Sequence, residues 1–298
     1  MPDQGTAAPA RPTRIEFSSP DLTAVVEAEG ARLSSLRLAG TDPATPSPTP
    51  DPGAGRELLL VTPWSGDTDG AWTMPVSSHE WHRRYPGGWH VLLPRSGDPV
   101  VIDGVEQPFH GEAAWRHWRL EAVEDGCDAT VDLRTVPLRL TRRFRLDGDT
   151  LSVTQEVTSF GPVAVDFGWV EHPAFDGALF DGATLALGEE APRAFVEPPA
   201  TAFADLDSPV GTCTVEAPAI ARRLTLDWDA AVFPRLQLWQ ERRGSAGFPW
   251  WGSVDAVGIE PASQPFDFGG DRLGALTVAP GETLSSTLSL TVRRMPAV

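Results

Sequence analysis

The sequence of 298 residues predicts an all-β protein, an antiparallel sandwich of many short strands that forms one domain. Several segments alternate apolar and polar residues with a period of two, which is the pattern of strands with one buried face. The chain also holds 29 prolines and 28 glycines, which suit frequent turns. No long stretch has the periodicity of an amphipathic helix.

The N-terminal part predicts a tail, a strand pair and an inserted loop. Residues 1–12 are small, polar and proline-containing, so we expect a flexible tail before a single domain over residues 13–296. Residues 41–55 carry five prolines and predict an exposed loop between strands, after which strand character resumes over 57–61. The strand pair before that loop turns at Gly30, between apolar positions Val25, Val26, Ala28, Leu33, Leu36 and Leu38.

The clearest hairpin covers residues 138–157, with its turn at Asp147-Gly148-Asp149. Period-two alternation on both sides of a glycine turn is a strong hairpin signal. Arg142 interrupts the apolar face of the first strand, and the sequence does not identify a partner for it. Residues 283–292 alternate again after Pro280-Gly281 and predict a further strand near the C-terminus.

Charge and missing residue types exclude several functional classes. The net charge of −17 argues against nucleic acid and anionic membranes as partners. The chain contains no lysine, which excludes enzymes that need a lysine amine, such as Schiff-base aldolases and P-loop NTPases. Two cysteines, Cys127 and Cys213, allow at most one disulfide. With no visible signal peptide or membrane span, we expect a cytoplasmic protein.

Common cofactor and metal motifs are also missing. GxGxxG, GxSxG and HExxH do not occur. His79-Glu80-Trp81-His82 has the wrong spacing for a zinc protease and no third ligand nearby, so we expect its histidines to be polar loop residues. The sequence therefore predicts no metal site.

Three segments carry the candidate chemistry, and each places an ionisable residue among apolar or aromatic neighbours. His172 lies in a Trp- and Phe-containing segment, and Glu260 follows an apolar strand end. Burial raises the pKa of a carboxyl group, and histidine titrates near neutrality, so the two form a workable base and acid for a neutral substrate. Taken singly, neither signal is specific, because a lone histidine on a strand is more often a hydrogen-bonded structural residue and Glu260 could cap a turn or pair with an arginine. The segments are residues 87–94 together with 108–112, residues 168–175 and residues 257–263.

The order of these segments and the residues within them resemble the sequence motifs of the aldose 1-epimerase (galactose mutarotase-like) superfamily. The resemblance extends from about residue 22 to residue 292. The resemblance implies an antiparallel β-supersandwich with a sugar-binding cleft on one concave face, and no metal or organic cofactor. The matching motifs are GAxLxSL at 30–36, GGW…LxPxxG at 87–97, His110-Gly111, HPxF at 172–175, Glu260-Pro261 and PGE at 280–282.

The same resemblance implies roles for individual residues. His172 matches the general acid, Glu260 the general base, and His110 the histidine that binds the sugar near its ring oxygen. Arg84, or its neighbour Arg83, matches an arginine that contacts sugar hydroxyls. Two tryptophans are candidate stacking platforms for the sugar, with ordinary core packing equally compatible for either: Trp239 and Trp89.

The implied reaction interconverts the α and β anomers of a free aldose. Glu260 removes the proton of the anomeric hydroxyl while His172 protonates the ring oxygen, and the ring opens to the aldehyde. Rotation about C1–C2 and reclosure give the other anomer. General acid–base help of this kind contributes about 10²–10⁴-fold per group.

Departures from the family pattern bear on the substrate. Ala114 stands where the hexose-6-phosphate branch has the arginine that grips the phosphate, and this favours an unphosphorylated sugar. A local basic pocket formed by Arg83, Arg84 and Arg95 keeps the phosphorylated alternative open. Asp176 stands where the galactose-type branch has an asparagine. The hydroxyl-binding aspartate of the family has two candidates here, Asp227 and Asp229.

Two other functions stay open on the same scaffold. One is a non-catalytic sugar-binding protein, although a pure binder needs no acid–base pair. The other is a lyase or hydrolase of glycans, which the lack of a paired-carboxylate motif disfavours. In each case we expect a small-molecule sugar as the partner and a monomer or homodimer.

Overall fold

The computed structural model describes residues 11–40, 51–66, 73–269 and 272–296. Most of the predicted tail and of the proline-rich loop lies outside these residues. The strands, in chain order, are β1 (Arg14–Ser18), β2 (Leu22–Glu27), β3 (Arg32–Leu38), β4 (Gly88–Leu92), β5 (Val100–Ile102), β6 (Val105–Gln107), β7 (Arg119–Val123), β8 (Gly126–Asp132), β9 (Leu138–Asp147), β10 (Thr150–Ser159), β11 (Val165–Phe167), β12 (Val170–Asp176), β13 (Thr184–Leu187), β14 (Arg193–Ala194), β15 (Ala200–Asp207), β16 (Thr212–Ala217), β17 (Arg222–Asp227), β18 (Arg235–Arg242), β19 (Asp255–Ala262), β20 (Leu276–Val278) and β21 (Thr283–Arg294). The helix α1 spans Ser77–Arg84, and single 3₁₀ turns span Glu112–Trp115, Gly177–Phe180 and Pro218–Ile220.

Two large sheets contain most of these strands. The first has the order β1-β2-β3-β4-β12-β19-β18-β15, and the second has the order β14-β13-β16-β17-β21-β10-β9-β8-β7. All pairings between the described strands are antiparallel. The main hydrophobic core takes residues from both sheets, such as Trp89 of β4 and Phe144 of β9. The predicted antiparallel β-sandwich is confirmed.

Local alternation predicted the hairpins well. Residues 138–157 lie in β9 and β10, which form an antiparallel hairpin. Its first residue pair, Asp147 with Thr150, flanks the turn at Gly148. The strand pair around Gly30 is β2 with β3, and the C-terminal strand is β21. Residues 57–61 differ from the expectation, because they form only isolated bridges. These bridges go to three separate partners, so no continuous ladder can form: Arg37, Phe175 and Gly87.

The helix α1 corrects the expectation that His79 and His82 lie in a loop. It has only eight residues and no side-chain cap at its N-terminus, so its local sequence signal is weak. Tertiary packing compensates, because Trp81 is buried and packs on His90 of β4 with ring centroids 5.0 Å apart. The buried Glu80 also binds the guanidinium of Arg83 at 2.8 Å.

The central strands of the first sheet, β4, β12, β19 and β18, present their two faces to different surroundings. Val257 and Ile259 of β19 lie in the main core, whereas Ala256 and Ala262 lie in a second, smaller cluster on the opposite face. Successive residues of a strand point to opposite faces, so one face of each strand supports the sandwich. The other face lies under α1 and carries the candidate site.

Several expectations remain predictions. The domain boundaries, the cytoplasmic location and the monomeric or dimeric state are not decided by this fold. In the part of the chain that the structure covers, no helix has the length and apolarity needed to cross a membrane. Cys127 and Cys213 are both buried and unpaired.

Candidate active site

The adjacent strands β12 and β19 bring His172 and Glu260 together. Nε2 of His172 lies 3.4 Å from Oε1 of Glu260. The two residues are 7% and 4% exposed. A Cβ atom on Gly258, two residues before Glu260, would lie 2.3 Å from the same Oε1 atom. Glycine at this position therefore provides the space that the carboxyl group occupies.

Burial shifts the two titrations in opposite directions. It raises the pKa of Glu260 to about 8, and it lowers the pKa of His172 to about 4. Between these values the pair holds a single proton. That proton can lie on the carboxyl group or on the imidazole without any change in total charge. Such a pair can donate a proton at one position and accept one at another.

His110 comes close to this pair from a strained turn. Its φ angle is +64°, and that of Gly111 is +75°. A Cβ on Gly111 would lie 2.6 Å from the carbonyl oxygen of Leu93, so the turn requires glycine there. The imidazole ring centroids of His110 and His172 are 5.8 Å apart.

The hydrogen bonding of His110 fixes which nitrogen is free. The backbone N–H of Gly97 donates to Nδ1 of His110 at 3.2 Å. Burial holds the pKa of His110 well below its ordinary value, so the ring is neutral. A neutral ring that accepts at Nδ1 carries its proton on Nε2. His110 therefore presents a hydrogen-bond donor, which suits a sugar oxygen.

Aromatic rings form much of the remaining wall of a cleft of about 190 Å³. Trp239 of β18 lies with its ring centroid 5.9 Å from that of His172. Trp250 follows at 5.8 Å from Trp239. Gln237 lies opposite Glu260 in the β18–β19 register and also lines the cleft. Flat apolar rings beside a few polar groups are typical of carbohydrate sites.

Two predicted substrate-binding residues lie elsewhere. Trp89 is fully buried in the main core and donates its indole N–H to Glu171 Oε2 at 2.7 Å, so it is a core residue and not a platform. Its neighbour His90 takes the cleft face instead, because strand side chains alternate. Arg84 lines a neighbouring cavity, where its Nη2 lies 3.2 Å from Oε1 of Glu29.

The candidate aspartates and the basic pocket are also placed differently. Asp227 accepts a hydrogen bond from Thr212 in the second sheet, and Asp229 caps the turn before Ala231. Neither aspartate lines the cleft. Arg83 and Arg84 line the neighbouring cavity, whereas Arg95 donates to the backbone oxygen of Phe268 and lines neither cavity. The three arginines therefore do not form one basic pocket.

Several residues that line the cleft were not identified from the sequence. Gln237 had a readable signal, since it lies two positions before Trp239 on the same strand face. His90, which lines the neighbouring cavity, is paired with His172 across β4 and β12, a position that only the long-range register reveals. Three aromatic residues come from α1 and from connecting segments that carry no periodic signal: Trp81, Tyr85 and Trp250.

A buried ion pair supports β12 from beneath. Arg142 Nη2 lies 2.8 Å from Oε2 of Glu171, and the two side chains are 1% and 0% exposed. Glu171 also accepts the indole N–H groups of Trp89 and Trp169, at 2.7 and 3.0 Å. Because Glu171 precedes His172 directly, this network holds the strand that carries the imidazole.

The histidines of the site do not form a metal centre with other ligands. Within the ranges that the structure describes, no three His, Cys, Asp or Glu side chains come together in a way that could hold a metal ion. The chemistry that this arrangement can perform is proton transfer.

Solved structures match this fold over almost its whole length. A candidate aldose 1-epimerase of Escherichia coli K12 has a TM-score of 0.68 at 18% identity, covering 95% of this chain and 99% of that chain. A galactose mutarotase related enzyme of Lactobacillus acidophilus has 0.66 at 13% identity, covering 95% and 98%. A galactose mutarotase-like protein of Lactobacillus casei has 0.63 at 18% identity, covering 94% and 100%. No family model and no curated protein matches the sequence. The chain has the galactose mutarotase-like fold.

Proposed function

We propose that this chain, which has the galactose mutarotase-like fold, is an aldose 1-epimerase that interconverts the anomers of an unphosphorylated aldose. The observation that carries the proposal is the single-proton pair of His172 and Glu260 in an aromatic-walled cleft. The neighbours named as aldose epimerases or mutarotases support the class of reaction.

In the proposed mechanism the pair moves protons between two oxygens of the sugar. Glu260 as carboxylate takes the proton of the anomeric hydroxyl, while His172 as imidazolium gives its proton to the ring oxygen. The C1–O5 bond breaks, and the open aldehyde rotates about C1–C2. Reclosure reverses both transfers, so the pair ends with the one proton with which it began.

Other cleft residues bind and orient the sugar in this proposal. The Nε2–H group of His110 donates to the ring oxygen or a neighbouring hydroxyl. Gln237 offers an amide beside Glu260, and Trp239 packs against the C–H face of the sugar. Arg84 is not part of this set, because it lies in the neighbouring cavity.

An unphosphorylated substrate fits the local chemistry. Ala114 brings no charge at the position that holds an arginine in the hexose-6-phosphate branch. No arginine lines the cleft that contains His172 and Glu260. A phosphate there would have no cationic partner among the described lining residues.

NMR saturation transfer between anomers tests the proposal. Glucose, galactose, xylose, arabinose and glucose 6-phosphate are the panel, and Glu260→Gln is the inactive control. We expect faster exchange for at least one neutral sugar and none in the variant. No acceleration for any sugar would overturn the epimerase and favour a sugar-binding protein on the same scaffold.

The pH profile of kcat/KM is expected to be bell-shaped. At low pH His172 takes up a second proton and no base remains, whereas at high pH the shared proton leaves and no acid remains. Burial places the acidic limb below the ordinary histidine pKa and the basic limb above the ordinary glutamate pKa, within about 4 to about 8. Saturation transfer across pH 4 to 9, with the Glu260→Gln rate subtracted, measures both limbs. An acidic limb at 6.5 or above would contradict the burial argument.

Gly258→Ala is expected to lower kcat/KM about 10²-fold. The new Cβ would lie 2.3 Å from Oε1 of Glu260 and 3.3 Å from Cε3 of Trp239, so the carboxyl group must rotate away. Misplacing a catalytic group by about 1 Å can cost a rate factor of this size. Gly40→Ala is the matched control, because no atom lies within 4 Å of a Cβ there. Equal activity of the two variants would show that the position of the carboxyl group is not limiting.

A further inference from the structure

A cavity of about 620 Å³ lies at the edge of the second sheet and shares no lining residue with the cleft of His172 and Glu260. Its walls come from the edge strand β7, from β8, and from the segment 133–137 that connects β8 to β9. The proposed reaction does not use it. We call it the arginine cavity after its basic lining residues, which are Arg11, Arg116, His117, Arg119 and Arg134.

The arginine cavity is basic although the whole chain carries a net charge of −17. Among the described residues that line it, only Asp132 is acidic. Both carboxylate oxygens of Asp132 already accept from Arg139, at 2.6 and 2.9 Å, and Arg139 is not a lining residue. The guanidinium of Arg139, and then the charges of Arg134 and Arg116, hold the pKa of Asp132 below its ordinary value. The surroundings of this one carboxylate are therefore strongly positive.

Two of the cavity arginines are available to a ligand. The side chains of Arg119 and Arg134 are exposed and bond to no other residue in the part of the chain that the structure describes. Elsewhere on the same sheet, the exposed Arg223 and Arg293 each form an ion pair with a carboxylate. Unpaired guanidinium groups gathered in one concave site attract an anion and can bind its oxygens two at a time.

The size and lining of the arginine cavity indicate which anion would fit. A single phosphate would fill little of it, since its volume lies in the range of about 300–1,000 Å³ that is typical of small-molecule sites. Several guanidinium groups favour a ligand with more than one anionic group. Phe160, which is 56% exposed, also lines the cavity and offers an aromatic ring to an organic part of the ligand.

A buried carboxylate connects the arginine cavity to the turn of His110. Glu112 begins the 3₁₀ turn that follows His110 and Gly111, and its side chain is 8% exposed. Nη1 of Arg116 lies 3.0 Å from Oε1 of Glu112. The backbone N–H groups of residues 134 and 135 donate to Oε2 of Glu112 at 2.8 and 2.7 Å. Both walls of the cavity therefore bind the carboxylate that holds this turn.

We infer that the arginine cavity is an effector site for an organic polyphosphate. Its phosphates bind the guanidinium groups of Arg116, Arg119 and Arg134, and its organic part packs on Phe160. A bound phosphate competes with Glu112 for Arg116, which loosens the turn that positions His110. The inference goes beyond the proposed function, because this site is separate from the cleft and its occupancy can be measured without turnover.

Calorimetry with ATP, in the absence of divalent cations, tests the site. We expect one ATP to bind per chain with a Kd below about 1 mM in about 0.15 M salt, and adenosine not to bind. The double variant Arg119→Ala with Arg134→Ala should bind ATP at least tenfold more weakly. Phe160→Ala should weaken the binding of ATP at least threefold and leave that of pyrophosphate unchanged.

Arg193→Ala with Arg223→Ala is the matched control, because both arginines are exposed, lie outside the arginine cavity and remove the same charge. It should bind ATP as the parent does. Equal weakening in the two double variants would reduce the effect to net charge and overturn the site, as would the absence of ATP binding. Tighter binding of citrate than of ATP would overturn a phosphate ligand.

The effector role is measured by anomer exchange with and without saturating ATP. We expect ATP to lower kcat/KM at least threefold in the parent and in the control double variant, because displacing His110 weakens its contact with the sugar. ATP should have no effect in Arg119→Ala with Arg134→Ala. Binding of ATP without a fall in kcat/KM would overturn the effector role and leave the binding site. If the protein turns over no sugar, the proposed function fails, and calorimetry still decides on the site.

Discussion

Glu260→Gln is expected to lower kcat/KM for anomer exchange by about 10²–10⁴-fold without loss of the fold. The amide has nearly the shape of the carboxyl group but cannot take the proton of the anomeric hydroxyl. At the same time we expect the variant to be more stable than the parent at pH 8. An inactive and stabilised protein is the signature of a residue retained for chemistry at the expense of stability.

The stability gain follows from the direction of the pKa shift. In the unfolded chain Glu260 ionises near 4.5, whereas burial raises the pKa to about 8 in the folded protein. Between these values the folded state keeps a proton that the unfolded state has lost, so stability falls as the pH rises towards 8. Each pKa unit corresponds to about 1.4 kcal/mol, so the total is on the order of a few kcal/mol. Glutamine does not titrate and escapes this loss.

Urea denaturation at pH 5 and pH 8 measures the effect. The difference in unfolding free energy between variant and parent should widen in favour of the variant as the pH rises. Glu190→Gln is the matched control, because Glu190 is exposed and forms an ion pair with the exposed Arg193. A difference that stays constant with pH, or full activity of Glu260→Gln, would contradict the account.

Arg142→Leu is expected to destabilise the protein by roughly 3–5 kcal/mol, because it leaves the carboxylate of Glu171 buried without its cation. The double variant Arg142→Leu with Glu171→Leu should recover part of this loss, since well-packed apolar residues can replace a buried ion pair. The two indole N–H groups that Glu171 binds would remain unpaired, so recovery should be incomplete.

Urea denaturation of the singles and the double forms a double-mutant cycle. Arg143→Leu on the same strand is the control. Arg143 forms an ion pair with Glu156, but its side chain is more than a third exposed. Ion pairs with that exposure contribute only up to about 1 kcal/mol to the free energy of unfolding. Additive losses in the cycle, or a loss from Arg142→Leu no larger than from Arg143→Leu, would refute the buried-pair argument.

Local pattern predicted the parts of the fold that depend on neighbours in sequence. The β9–β10 hairpin follows from alternation around Gly148, and the β2–β3 pair from alternation around Gly30. Arg142 had no explanation in sequence because its partner, Glu171, belongs to the other large sheet. Helix α1 was missed because eight residues held mainly by tertiary contacts have little pattern of their own.

The sequence predicted mainly those site residues that lie in recognisable motifs. His172, Glu260 and His110 line one cleft, as their motifs led us to expect, and the candidate platform Trp239 lines it as well. Trp89 does not line the cleft, because the motif identifies the residue but not the face of the strand to which its side chain points. That face is set by the register of β4 with β12, which depends on residues far apart in the sequence.

Strands supply some residues of the cleft and connecting segments supply others, and this difference affects how such proteins can change during evolution. The proton-transfer pair lies on β12 and β19, two adjacent antiparallel strands of the first sheet, whereas Trp81, Tyr85 and Trp250 come from α1 and from connecting segments. Connections accept substitution and insertion far more readily than central strands do. Under the proposed function, descendants of this chain can therefore acquire new sugar preferences through their connections while inheriting the same proton-transfer pair unchanged.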